Sequence, residues 1–74
     1  MENKILDIIN SIREGKGLSS LETLKRDDTL RTDLGLTSFD LAELTVKIED
    51  EFDIDIFEDG LVSTVGEIFA KLEK

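Results

Sequence analysis

Apolar residues recur along the first dozen positions at helical spacing. Ile5, Ile8, Ile9 and Ile12 fall at steps of three, one and three, and Leu6 widens the stripe. Such spacing puts them on one face of an α-helix, predicted to run from Glu2 to Glu14. Gly15 and Gly17 follow as stop signals. Lys16 to Thr37 has no single period. It carries Leu18, Leu21, Leu24, Leu30, Leu34 and Leu36 among polar residues. A structureless loop of this length is uncommon in a compact domain. The leucines are therefore expected to pack across the helices, with a helical turn near Ser20 to Leu24. Gly35 suits a tight turn before the next element.

The clearest helix follows. Leu41, Leu44, Ile48 and Phe52 repeat at steps of three and four, with Thr45 beside them. Thr37 is positioned as N-cap, and Asp40 three residues on is a short version of the capping-box acid. Asp40, Glu43, Glu49, Asp50 and Glu51 fall largely outside the stripe and are expected to face solvent or partners. Asp53 and Asp55 break the pattern, so this helix is predicted to end near Phe52. Ile54 to Ser63 reads as a connection with one short helix, limited by Glu58, Asp59 and Gly60. A last helix starts near Thr64, whose hydroxyl and Glu67 form a second capping box. Val65, Ile68, Phe69 and Leu72 make its apolar face, and Lys71 and Lys74 suit its C-terminal end. No segment reads as a paired strand. The predicted fold is all-α: a four-helix bundle of three main helices and one short third helix, in a single domain spanning 1–74.

Charge and composition narrow the function classes. The 74 residues include 18 acidic and 9 basic side chains, a formal net charge of -9. Such a surface repels nucleic acid backbones and anionic lipid, and it favours basic partner proteins. No apolar run approaches the ~20 residues of a membrane-spanning helix. The start, Met1-Glu2-Asn3-Lys4, lacks the basic run and apolar block of a signal peptide. A soluble, monomeric, cytoplasmic domain is expected. There is no Cys, His, Trp or Tyr. The usual general base, zinc ligands and disulfides are thereby removed. Ser38 has no His to activate it, and no lysine stands at a supporting spacing, so a serine hydrolase is rejected. Calcium loops started at Asp53 or Asp55 put Phe57 at a ligand position and fail on ligand type.

One run carries more information: Asp33-Leu34-Gly35-Leu36-Thr37-Ser38-Phe39-Asp40-Leu41-Ala42-Glu43-Leu44. It resembles the acyl carrier protein family. Asp33, Leu34 and Gly35 match the family's turn. Ser38 matches its modified serine, Phe39 the apolar residue after it, Asp40 the acid, and Glu43-Leu44 the following pair. The resemblance continues through Ile48-Glu49-Asp50-Glu51-Phe52, Ile54 to Ile56 and Thr64-Val65. It covers most of Leu30 to Leu72. Two features depart from the pattern. Thr37 stands where Asp is usual, and the region after Ile56 looks shorter, with Phe57 where Pro is frequent.

The resemblance implies a covalent 4'-phosphopantetheine arm on Ser38, taken from coenzyme A by a phosphopantetheinyl transferase. It implies an acyl carrier rather than an enzyme, serving acyl-loading and acyl-using enzymes of fatty acid, polyketide or specialised acyl-transfer pathways. It also implies docking of basic partner patches beside Ser38. Phe39, Val46 and Ile56 are candidates for apolar contacts there, and Asp40, Glu43, Glu49 and Asp50 for ion pairs. An intrahelical Glu43–Lys47 pair is expected. Leu41, Thr45, Ile48, Ile56, Val62 and Ile68 are candidates to line a small acyl cavity. Two alternatives remain: an aminoacyl or peptidyl carrier, and an acidic helical adaptor whose serine is never modified. Physical chemistry supports the first reading at Ser38. A phosphodiester at the first turn of a helix meets the positive end of its dipole. A chain without cysteine also needs a thiol from elsewhere for thioester chemistry.

Overall fold

A computed structural model of the protein describes residues 2–58, 60 and 62–73. Three helices form, in the order α1 (Glu2–Gly15), α2 (Ser38–Phe52) and α3 (Val65–Leu72). Among the described residues there is no strand, although Thr29 and Thr64 meet in one antiparallel bridge. None of these helices is long and apolar enough to cross a membrane.

The apolar stripes bury as their spacing predicts. Ile5, Ile9 and Ile12 of α1, Leu44 and Ile48 of α2, and Val65, Ile68 and Phe69 of α3 meet in one core. Ile8, Leu41, Phe52 and Leu72 pack half-buried around it. Burying such a side chain fully contributes about 1.5–3 kcal/mol, so these positions govern the fold. α1 ends through Gly17, at φ +82°. Leu18 N–H donates to Arg13 O and Gly17 N–H to Glu14 O, the paired bonds of a left-handed C-cap. Gly15 itself remains helical.

The long connection joins the core without becoming helical. Leu30, Leu34 and Leu36 are buried, and Leu21 and Leu24 half-buried. The helical turn expected at Ser20 to Leu24 is absent. Leu21 instead pairs with the Asn10 side chain: its N–H donates to Asn10 Oδ1 at 2.7 Å, and Asn10 Nδ2 donates to its carbonyl at 2.9 Å. An amide satisfying both backbone groups takes the place of helical bonds.

The expected short third helix is likewise corrected. Residues 56–58 form a turn. The Asp55 carboxylate accepts the Phe57 N–H at 2.9 Å, and Gly60 sits at φ +133°. Glu58 N–H and Gly60 N–H each bond three residues back, to Asp55 O and Phe57 O, so the segment closes as turns, and the glycine leaves helical space. Two other expectations, on Asp59 and Lys74, lie outside the described residues. Among the described residues the fold is all-α with three helices.

α3 is tied to the connection at its N-terminal end. Val65 N–H donates to Asp28 O at 3.0 Å and Gly66 N–H to Arg26 O at 2.8 Å, while Leu30 N–H donates to Ser63 O. These bonds satisfy first-turn donors that a helix leaves open. They also hold the 26–30 segment against α3, which sets the position of the residues that follow.

Candidate functional site around Ser38

Ser38 is the first residue of α2 and is exposed. Its place is fixed by the residues on either side. Thr37 takes extended backbone, φ -87° and ψ 174°, and its side chain accepts the Asp40 N–H. Asp40 answers: its Oδ2 accepts the Thr37 N–H at 2.8 Å and the Thr37 hydroxyl at 3.0 Å. The capping box is therefore complete with Thr at the cap and Asp at the third position.

A third partner reaches the same oxygen from outside the motif. Lys16 Nζ, just beyond α1, lies 2.5 Å from Asp40 Oδ2 and donates to Gly35 O at 2.7 Å. Arg13 adds bonds from Nη1 to Leu34 O at 2.5 Å and from Nε to Ser19 O at 3.0 Å. Two α1-end cations thus clamp the turn that leads into α2. Gly35 in that turn has φ +74°, with the space at its α-carbon bounded by Leu18. The hydrogen bond from Lys16, then that from the Thr37 backbone, hold the Asp40 carboxyl below its usual range against the opposing effect of burial.

Asp40 is only 6% exposed. The expectation that it faces solvent and pairs with a partner is corrected: Lys16 and Thr37 already occupy it. Ile56 is also corrected. It is 0% exposed, inside the core, and offers no surface contact. The remaining predicted docking residues do lie outside. Phe39 is 79% exposed and Val46 67%, and seven residues apart they share one face of α2. Glu43, Glu49 and Asp50 are exposed beside them. Lys47 pairs with Glu43 across one turn at 3.9 Å.

Beside Ser38 opens a cleft of about 450 Å³. Leu41, Ala42, Phe57 and Val62 give it apolar walls, and Thr29, Arg31 and Ser63 a polar edge. Leu41 and Val62 line it as expected from the sequence, and the other expected residues do not. Ile48, Ile56 and Ile68 are fully buried in the core, and Thr45 spends its hydroxyl on Leu41 O at 2.9 Å. Arg31 is new to the site: its Nη1 donates to Ser38 Oγ at 3.1 Å. Arg13, Lys16 and Arg31 all escaped the sequence reading. They lie in or beside the unperiodic segment, so no spacing marks them.

The site fits a phosphopantetheine group by its chemistry. It offers an exposed hydroxyl to esterify, a guanidinium beside that oxygen for a phosphate, and an open apolar cleft for an uncharged arm.

Comparison with known proteins agrees with this geometry. The family model described as the phosphopantetheine attachment site matches residues 5–72. The chain is 34% identical over 56 residues to the mitochondrial acyl carrier protein of Saccharomyces cerevisiae. That match covers 76% of this chain and 45% of the yeast protein, so the chain spans about half the length of that relative. No solved structure matches. The match over nearly the whole chain places it plainly: it belongs to the acyl carrier protein family, whose domain bears a phosphopantetheine attachment site.

Proposed function

We propose that the protein carries acyl groups as thioesters on a 4'-phosphopantetheine arm attached at Ser38. The supporting observation is the position of that hydroxyl: exposed at the first residue of α2, beside Arg31 and at the mouth of an apolar cleft. When bound, the arm supplies the thiol that a chain without cysteine lacks.

The chain's own residues present and orient. Thr37 and Asp40 hold the start of α2, and Lys16 and Arg13 hold the turn before it, so the Ser38 hydroxyl is offered in a fixed direction. Leu41, Ala42, Phe57 and Val62 offer apolar contact to cargo beside Ser38. Phe39, Glu43, Val46, Glu49 and Asp50 form an apolar and acidic face on α2 for basic patches of a phosphopantetheinyl transferase and of acyl-loading and acyl-using enzymes. Each exposed pair there contributes only ~0.2–1 kcal/mol, which suits a carrier that releases its partners quickly.

The test uses intact mass. The protein is incubated with coenzyme A, magnesium and a broad-specificity phosphopantetheinyl transferase. The wild type gains one arm and Ser38→Ala gains none. An unmodified wild type, or an arm on Ser38→Ala, would sink the proposal. Intact mass of protein purified from its own cells then separates acyl from aminoacyl cargo.

A further inference from the structure

We propose that Arg31 holds the phosphodiester of the arm and sets the direction in which the arm leaves Ser38. The inference rests on the reading that Ser38 bears the arm, and it assigns a role to a residue outside the attachment motif.

The geometry begins at one oxygen. Arg31 Nη1 donates to Ser38 Oγ at 3.1 Å. In a phosphodiester at Ser38 the phosphorus bonds to that same Oγ. Its two non-bridging oxygens then lie one bond further out, within reach of the same guanidinium. Esterification also removes the hydroxyl proton and leaves Oγ a poorer acceptor than the anionic oxygens beside it. The donor that serves Ser38 in the free protein is therefore passed to the phosphate. A planar guanidinium suits this, because its fork of N–H groups matches two oxygens of one phosphate, where an ammonium acts as a point charge.

The surroundings leave Arg31 available. The ion pairs among the described residues use Lys4, Lys16, Arg26 and Lys47, and none uses Arg31. Asp33, two residues on, accepts the Thr29 N–H at 2.8 Å. No carboxylate has to be displaced for a phosphate to bind. A phosphodiester adds one more negative charge to a chain that already carries -9, so a cation at the attachment point offsets local repulsion. Arg31 also lines the polar edge of the cleft whose other walls include Leu41 and Phe57. A phosphate fixed at that edge starts the arm along the apolar wall instead of out into solvent.

The test loads wild type, Arg31→Gln and Arg31→Lys with the arm and checks each by intact mass. Arg31 is exposed, so both variants are expected to fold. Urea unfolding of each protein with and without the arm closes a double-mutant cycle between arm and residue. The expected coupling for Arg31→Gln is two- to fivefold in the unfolding constant, about 0.4–1 kcal/mol. Arg31→Lys retains part of it. Phosphorus NMR gives a second readout: the phosphodiester resonance narrows in Arg31→Gln as the group moves more freely. A wild type that takes no arm overturns this role together with the reading of Ser38. An arm on both forms, with no coupling and identical phosphorus relaxation, overturns the role of Arg31 alone.

Discussion

Asp40 shows how one residue changes meaning between sequence and structure. By spacing it belongs to the exposed side of α2. In the fold its Oδ2 accepts from Lys16 Nζ, the Thr37 N–H and the Thr37 hydroxyl, and it is buried. Its carboxyl pKa is lowered, chiefly by the Lys16 hydrogen bond. The sign of the consequence follows from linkage. The unfolded chain binds a proton at Asp40 near pH 3.9, more readily than the folded protein does. The interaction therefore stabilises the fold above that pH. It is lost as pH falls below about 4, through the lower folded value. Asp40→Asn keeps an acceptor for the cap but gives Lys16 no charge. It is expected to cost about 1–3 kcal/mol at neutral pH. Urea midpoints of wild type and Asp40→Asn should then converge as pH drops below about 4, since other carboxylates cancel in the comparison. A gap that stays constant from neutral to acid pH would show that the charge of Asp40 contributes nothing.

At the scale of elements, what was legible was local. Both capping boxes, Thr37 with Asp40 and Thr64 with Glu67, lie within four residues and form as read. The apolar faces of α1, α2 and α3 bury as their periodicity predicts. The proposed attachment point, Ser38, stands in a contiguous motif. What was not legible depends on residues far apart in the chain. Lys16 meets Asp40 across 24 positions and Arg13 meets Leu34 across 21. Ile56, a candidate both for docking and for the interior lining, is placed wholly in the core by tertiary packing. Glu58 N–H and Gly60 N–H bond only three residues back, so a turn stands where the short third helix was expected. The start of α3 offers a test at this scale. A β-carbon built on Gly66 would stand 2.9 Å from Arg26 O, a backbone atom that cannot swing aside. The Gly66 N–H also donates to that same carbonyl. Helix propensity alone favours alanine over glycine by about 1 kcal/mol. The clash opposes it and forces the 26–30 segment away, with overpacking worth about 1–3 kcal/mol. Gly66→Ala is therefore expected to lower the thermal midpoint, and a raised midpoint would mean the segment yields freely.

For the whole molecule the governing quantity is charge. The chain carries a formal net charge of -9 within extents of 31 × 22 × 21 Å. At low ionic strength the Debye length is about 30 Å, so most acidic groups on the surface repel one another. Opposing pairs among the described residues include the exposed Lys4–Glu51, Arg26–Glu73 and Glu43–Lys47 and the part-buried Lys16–Asp40. Each exposed pair contributes only ~0.2–1 kcal/mol and is itself screened by salt. Repulsion summed over the excess charge outweighs them, so adding sodium chloride, whose cation screens the negative surface, should raise the urea midpoint. Most of the rise should arrive by ~0.15 M, where the Debye length has fallen to about 8 Å. Under the proposed function the same screening acts in the opposite sense on partners. Encounter with a basic transferase gains from attraction to the acidic face of α2, so kcat/KM for loading Ser38 should fall over the range in which stability rises. The opposed signs are informative, because a protein merely stabilised by salt would load no more slowly. Stability and loading measured in one salt series therefore separate an acidic surface used for docking from one that only keeps the domain dissolved. If loading holds steady while the midpoint climbs, Glu43, Glu49 and Asp50 lose their proposed role.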